Sequence, residues 1–345
     1  MNPIFVLSKS KLKEQLDKLW QLGVKINYSF KTNPEVAMLI QEEDYDVDFS
    51  SHSIKPISVI KDKKRVWFFP QGWNREQIID LINQGVRNFV IDNINDLNIF
   101  DKVISELGII KEITLLIRIK MKEHTVYTGR FFVYGFNTNV ANDLIKEYSD
   151  RKYLKNIGIH FHRKTENVSE WNMLEELQES FDCWDKINIV NIGGGLPIEY
   201  KSVKDFNMEF IFNQIKKLKE FLDEKNIKLI VEPGRFICGP SIRLECEIIN
   251  VVDRNIFVNC SVYNSFPDTI FYGLKLLVEN ESEDDNLRPY LIKGNTACSV
   301  DIFRYKVRFD KEPVIGDKIV FLNAGAYNFH TNFMWLDEIE TVIVD

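Results

Sequence analysis

Between residues 25 and 235 short β-branched runs alternate with amphipathic segments, and this recurrence constrains the fold more than any other feature of the chain. Strands joined by helical segments read as parallel βα units, because a parallel neighbour is reached only by a long crossover. Strand-like runs fall at 25–29, 46–50, 65–69, 88–91, 114–119, 156–161, 187–192 and 228–231. That is about the number that closes a (β/α)8 TIM-type barrel. Helical spacing fills the intervals: Ile78, Ile79, Leu81 and Ile82 recur in 74–84, and Ile211, Ile215, Leu218 and Leu222 in 206–224. From Arg243 onward alternation takes over. Leu244, Cys246 and Ile248 alternate with Glu245 and Glu247, and Tyr305, Val307 and Phe309 with Lys306 and Arg308. A turn at Val314-Ile315-Gly316-Asp317 leads into 318–322, the chain ends on 340–344, and 4–7 also reads as a strand. The expected organisation is an α/β chain with a barrel over 22–240 and a β domain drawn from 1–21 and 241–345, the polar stretch 279–288 being a solvated loop.

Composition narrows the function classes. The chain has 345 residues, 45% hydrophobic and 28% charged, which suits a globular protein with a sizeable core. Lys and Arg number 44 against 51 Asp and Glu, so the net charge of -7 offers a phosphate backbone nothing to attract and excludes nucleic acid as a partner. The five cysteines, Cys183, Cys238, Cys246, Cys260 and Cys298, are odd in number and lack Cys-x-x-Cys spacing, which argues for free thiols in a reducing compartment and against a zinc knuckle. Met1-Asn2-Pro3-Ile4-Phe5-Val6-Leu7 has no basic residue before its apolar run, unlike a signal peptide. No stretch nears the roughly 18 uncharged apolar residues of a spanning helix. A cytoplasmic protein without a membrane role is expected.

In a βα barrel the reactive groups sit at the C-terminal ends of strands. The first strand ends in Tyr28-Ser29-Phe30-Lys31-Thr32-Asn33-Pro34, whose lysine is either a surface cation or a covalent anchor for a carbonyl compound. The sixth ends in His160-Phe161-His162-Arg163-Lys164-Thr165, and alternation puts both imidazoles on one face. Core residues, a metal pair and a platform for a flat ring are all open there, although no Cys, Asp or Glu stands at a recognisable metal-ligand spacing. The seventh ends in Gly193-Gly194-Gly195-Leu196-Pro197, which permits either a plain turn or a nest of N–H groups around a phosphate. The eighth ends in Glu232-Pro233-Gly234-Arg235, an acid and a guanidinium beside a sharp turn that could simply pair. Together, a lysine, a stacking imidazole, a phosphate nest and a carboxylate are the parts that hold pyridoxal phosphate.

On these residues the chain resembles the fold-III pyridoxal-phosphate decarboxylases, the ornithine, diaminopimelate and arginine decarboxylase group, over nearly its whole length. Tyr28-Ser29-Phe30-Lys31-Thr32-Asn33 is similar to the family's Tyr-Ala-Val-Lys-Ala-Asn, and Asp48-Phe49-Ser50-Ser51 to its Asp-Val-Ala-Ser. Gly158-Ile159-His160-Phe161-His162 followed by Thr165 resembles Gly-Leu-His-Phe-His-Val-Gly-Ser. Asn191-Ile192-Gly193-Gly194-Gly195 and Glu232-Pro233-Gly234-Arg235 match almost letter for letter, and Gly325-Ala326-Tyr327 reproduces the family's tyrosine motif. The resemblance implies an alanine racemase-like fold, a barrel plus C-terminal β domain. It also implies a lyase that works as a homodimer and releases carbon dioxide from a small amino-acid substrate. In such an enzyme Lys31 would hold the cofactor covalently and later return a proton, and Asp48 would help to orient that lysine. His162 would stack on the pyridine face and Glu232 would pair with the ring nitrogen. Gly193, Gly194, Gly195, Gly234, Arg235, Thr165 and Tyr327 would bind the phosphate. Tyr263 and Asp301 are the implied substrate contacts, and no metal is required.

The chain also departs from the pattern. The family's Gly-Pro-Thr-Cys-Asp-Ser-x-Asp motif, whose Cys and Asp cross the dimer interface, reads Gly294-Asn295-Thr296-Ala297-Cys298-Ser299-Val300-Asp301 here. Ala297 takes the cysteine position and the thiol is displaced by one residue. Either a local backbone adjustment still delivers Cys298 as a catalytic proton donor, or the thiol is a buried packing group. The acid that meets the distal amine of a simple diamine substrate is missing at that position. The expected substrate is therefore an ornithine- or diaminopimelate-type or carboxyalkylated amino acid, other than plain ornithine, in amino-acid or polyamine metabolism. Ile54 replaces a glutamate expected after Asp-x-x-Ser, Asn259-Cys260-Ser261 replaces Asp-Gly-Gly, and Val133-Tyr134-Gly135 keeps only the glycine of Lys-Phe-Gly. Two other readings stand beside the decarboxylase. One is an amino-acid racemase of the same fold, against which Glu232 speaks, since related racemases set an arginine on the ring nitrogen. The other is a non-catalytic homologue that regulates a partner, against which Lys31, His162, Glu232 and the glycine run speak.

Overall fold

The computed structural model describes residues 1–121, 133–328 and 333–345. Its strands are β1 (Ile4–Ser8), β2 (Lys25–Ser29), β3 (Val47–Ser51), β4 (Val66–Phe68), β5 (Asn88–Ile91), β6 (Ile113–Arg118), β7 (Leu154–His160), β8 (Ile189–Asn191), β9 (Lys228–Val231), β10 (Ile242–Val252), β11 (Asn255–Val258), β12 (Leu277–Val278), β13 (Tyr290–Lys293), β14 (Ile302–Val307), β15 (Lys318–Leu322) and β16 (Glu340–Val344). Strands β2 to β9 pair in chain order, all parallel, and β9 returns to β2 through Lys25 opposite Ile230 and Ile26 opposite Val231, which closes the barrel. Trp67, Val90, Leu116, Ile189 and Ile230 pack together with Phe69 as one core cluster. Neighbouring strand residues such as Phe49, Phe89, Leu115 and Ile117 are also buried, so the strands are apolar on both faces, as a helix-covered parallel sheet requires.

Local chemistry sets the helices between them. The helix Arg75–Gln84 begins on a reciprocal cap, Asn74 accepting from the Gln77 amide while the Gln77 side chain accepts from Asn74, and it stops at Gly85, whose φ of 99° a side chain would resist. It buries Ile78, Leu81 and Ile82. The helix Met208–Glu224 buries Ile211, Ile215, Leu218 and Leu222. At Gly158 the strands β7 and β8 approach so closely that a Cβ would strike the Ile189 carbonyl.

The chain divides into two compact units. The barrel unit comprises Lys18–Leu196 and Asn207–Gly234, and the sheet unit comprises Met1–Asp17, Pro197–Phe206 and Arg235–Asp345. Within the sheet unit the strand order is β12-β15-β10-β11-β13-β14, and β1 pairs antiparallel with β10 and parallel with β16, so both termini contribute. Pro197–Phe206, read from sequence as part of the barrel span, belongs with the sheet because its groups bond there. The Lys201 amide donates to Lys275 O at 2.8 Å, Lys201 Nζ meets Glu281 at 2.9 Å and Asn323 Nδ2 donates to Glu199 O at 2.8 Å.

Two expectations for this unit need correction. The alternation in β14 breaks because Lys306 adopts a left-handed φ of 54°, leaving Tyr305 55% exposed while Arg304 turns inward at 1% exposure. Arg304 donates twice to Glu281 at 2.8 and 2.8 Å and once to Leu276 O at 2.6 Å. Glu281 lies in the polar stretch 279–288, which is thus no plain solvated loop: it supplies the counter-ion of a buried guanidinium. No helix among the described residues is long and apolar enough to cross a membrane.

Candidate active site

The site is built around Glu232, one residue past β9. Its Oε1 accepts from Asn27 Nδ2 at 2.8 Å and Asn191 Nδ2 at 2.9 Å, and its Oε2 lies 3.1 Å from His160 Nε2. An ionised carboxylate only accepts, so Nε2 of a neutral His160 carries the proton it donates. Burial pushes the Glu232 carboxyl up, but His160, the Asn191 amide and His162 outweigh it and hold the group below the usual carboxylate range. Each such charge-assisted bond contributes about 1.5–3 kcal/mol. Asn27 and Asn191 are both fully buried, so this anion is fixed in place by donors that cannot turn to water.

Lys31 sits on the 3-10 turn Phe30–Thr32 directly after β2. Loss of surrounding water pushes its ammonium below the ordinary lysine range, opposed by Glu232 and assisted by Arg118. A larger neutral fraction makes the amine a better nucleophile. His162 is pushed down to about 3, first by burial and then by Arg118, and stays neutral near pH 7. Its Nδ1 accepts from the Gly194 N–H at 3.3 Å, which fixes the ring against the glycine run.

The run itself needs its glycines. Gly193 and Gly195 have φ of 67° and 96°, and a Cβ would strike Phe161 O at 193, Glu232 O at 194 and Lys164 O at 195. The expected nest of N–H groups is narrower than the sequence suggests. Gly193 donates to Asn191 Oδ1 at 2.9 Å and Gly194 to His162, so among the described residues only the Gly195 N–H of this run has no acceptor. Thr165 lies exposed on the segment that packs on Gly195. Gly234 permits a close approach to the first strand end, where a Cβ would strike Thr32 Oγ1.

Asp48 is placed differently from the expectation. It accepts from Trp67 Nε1 at 3.0 Å and faces Lys25 Nζ at 3.3 Å, one strand residue after Val47 and level with Asn27. Its partners are thus Trp67 and Lys25, and Glu232 is the carboxylate whose charge acts on Lys31.

The sheet unit holds the remaining candidates. Arg235, 6% exposed, pairs with the Asp268 carboxylate at 2.7 Å and donates to Tyr200 Oη at 3.1 Å, and its guanidinium lies 5.0 Å from the Tyr327 ring centroid. The pairing of Arg235 is therefore with Asp268. Tyr263 Oη and Cys298 Sγ meet at 3.0 Å. That contact pulls the thiol below its ordinary value and pushes the phenol up to about 12, the pair of shifts that a hydroxyl donating to a thiolate produces. Cys298 is half-exposed, which sets aside its reading as a buried packing group. Asp301 is corrected: fully buried, it accepts from the Val262 amide at 2.9 Å, the Thr296 amide at 3.1 Å and Thr296 Oγ1 at 2.6 Å, and a Cβ on Gly294 would strike its carboxylate. It anchors the loop and has no face for a substrate.

Sequence reasoning passed over Asn27 and Arg118 and gave His160 and Asn191 no role. Arg118 ends β6, lies 5.3 Å from the Tyr134 ring centroid and is pushed below its ordinary value by burial. A polar side chain inside or at the end of an apolar strand was the available signal in each case.

These residues fit pyridoxal phosphate. A buried anion suits a ring nitrogen, a neutral imidazole suits a ring face, Lys31 suits a carbonyl, and the free Gly195 N–H lies in a loop that side chains would fill. The family model described as pyridoxal-dependent decarboxylase, pyridoxal binding domain, matches residues 9–239. A diaminopimelate decarboxylase of Methanocaldococcus jannaschii is 24% identical over 366 aligned positions, covering 94% of this chain and 82% of the relative. A carboxynorspermidine/carboxyspermidine decarboxylase of Campylobacter jejuni is 28% identical over 193 positions, covering 51% and 49%. Among solved structures, the arginine decarboxylase of Paramecium bursaria Chlorella virus superposes with a TM-score of 0.81 at 22% identity, covering 100% of this chain and 96% of the other.

Proposed function

The chain belongs to the family of pyridoxal-dependent decarboxylases, and from that premise we propose that it is a homodimeric α-decarboxylase for an amino acid bearing a second carboxylate or a carboxyalkyl arm. The observation that carries the site assignment is the Glu232 carboxylate, held by Asn27, Asn191 and His160 beside the glycine run. Pyridoxal phosphate, when bound, supplies a sink for the electron pair left behind as carbon dioxide departs. Glu232, kept ionised by its three donors, would hold a proton on the ring nitrogen. Neutral His162 would support the ring face without adding charge. Lys31 would hold the cofactor through Nζ and, once released, hold or return a proton there. Arg235 is a buried cation steadied by Asp268, with the donor geometry an anion requires. Cys298, its sulfur supplied with a hydrogen bond by Tyr263, is the second group able to move a proton.

The substrate class is supported by what segment 294–301 offers. Its thiol stands where relatives have an acid, and the Asp301 carboxylate is consumed by the Val262 and Thr296 donors. No free carboxylate remains there to meet a distal ammonium. The likeness to diaminopimelate and carboxynorspermidine/carboxyspermidine decarboxylases agrees with a substrate bearing an additional carboxylate. Exposed Val300, Phe333 and Trp335 on the sheet unit, 53%, 55% and 95% exposed, support a partner chain. Carbon dioxide release should be measured against basic, acidic and carboxyalkylated amino acids. The carboxylated substrates should turn over best; equal or faster turnover of free ornithine would sink the substrate reading.

A further inference from the structure

The glycine run is held from outside by the segment that follows β7. The Asn167 amide donates to Gly195 O at 2.8 Å, and the Lys164 carbonyl lies where a Cβ on Gly195 would be. The Gly195 N–H and C=O belong to successive peptide planes joined by the Gly195 φ and ψ, so holding the carbonyl on the Asn167 amide while the Lys164 carbonyl packs against the same Cα confines those two angles and with them the aim of the unengaged N–H. Asn167 is itself locked. It is 2% exposed, its Oδ1 accepts from the Glu170 amide at 2.9 Å, its Nδ2 donates to Glu170 O at 2.9 Å, and its carbonyl accepts from Trp171 Nε1 at 2.7 Å.

Glu170 is the hub of this arrangement. Its side chain is 7% exposed, bonds Lys164 Nζ at 2.6 Å and lies 3.7 Å from Arg163 Nη1, while Arg163, buried at 3%, also pairs with Glu176 on the helix Met173–Ser180. Two consecutive cations thus tie both ends of 163–170 together, and a buried network of this kind has few alternative geometries.

We infer that Glu170, acting through Lys164 and Asn167, is a positioning residue for the cofactor's phosphate, because it sets the direction of the Gly195 N–H. This rests on the assignment of the glycine run to the phosphate. Glu170 touches no reacting atom and neutralises Lys164, so its effect is specific to the phosphate end of the cofactor.

The full-length chain, stripped of cofactor, is titrated with pyridoxal phosphate and separately with pyridoxal, which lacks the phosphate, following visible absorbance. Glu170→Gln, nearly isosteric, should weaken pyridoxal phosphate about tenfold and leave pyridoxal within about twofold. Gly195→Ala tests the underlying assignment and should show the same selectivity. Equal weakening of both ligands by Glu170→Gln would mark a general structural role and overturn the inference, as would tighter binding of pyridoxal phosphate through a freed Lys164. No effect of Glu170→Gln beside selective loss in Gly195→Ala would overturn the inference and leave the phosphate assignment standing. Loss of selectivity in Gly195→Ala itself would overturn both.

Discussion

Tyr263 and Cys298 are 35 positions apart, yet one hydrogen bond determines what the thiol can do. A hydroxyl that donates to the sulfur favours the thiolate, so removing it should raise the thiol's pKa. In Tyr263→Phe the pH profile of Cys298 alkylation by iodoacetamide should therefore move to higher pH; an unmoved profile would show that Tyr263 does not activate the sulfur. At this scale the sequence was informative about identity and poor about partners. Lys31, His162 and Glu232 were legible because each is an unusual polar group at a strand end. Asp48 was legible as a motif residue but not in its partners, and the structure puts its carboxylate against Lys25 and Trp67. Asp301 was misjudged because a motif aspartate looks the same whether it faces a substrate or caps the amides of its own loop.

Strands and helices follow the patterns read from the order of residues to within two residues at each barrel strand end, since short apolar runs and helical spacing are local properties. What resisted reading was a single residue's φ. The left-handed Lys306 reverses the facing of β14 and puts Arg304 inside, where Glu281 must neutralise it. Removing one partner of a buried pair leaves the other charge uncompensated, so Glu281→Ala should lower unfolding free energy by about 3–5 kcal/mol. Urea denaturation of the variant checks this, and a loss below about 1 kcal/mol would place the pair in the class of surface ion pairs. Leu276 O and Lys201 also meet this pair, so the effect should not be confined to one strand.

For the whole molecule, family membership establishes a pyridoxal-dependent decarboxylase, while the homodimer and the substrate are proposals. If Cys298 serves the neighbouring chain's Lys31, mixing inactive Lys31→Ala with inactive Cys298→Ala should restore carbon dioxide release, because mixed dimers contain one site with both groups intact; no recovery, with subunit exchange confirmed by light scattering, would place the thiol outside a shared site. The central claim is that Lys31 is the amine that holds the cofactor, and its most direct test is borohydride reduction of the purified protein followed by peptide mass spectrometry. The pyridoxyl group should appear on the peptide containing Lys31, with loss of the visible absorbance. A label on any other lysine, or no label in protein shown to bind pyridoxal phosphate, would contradict it.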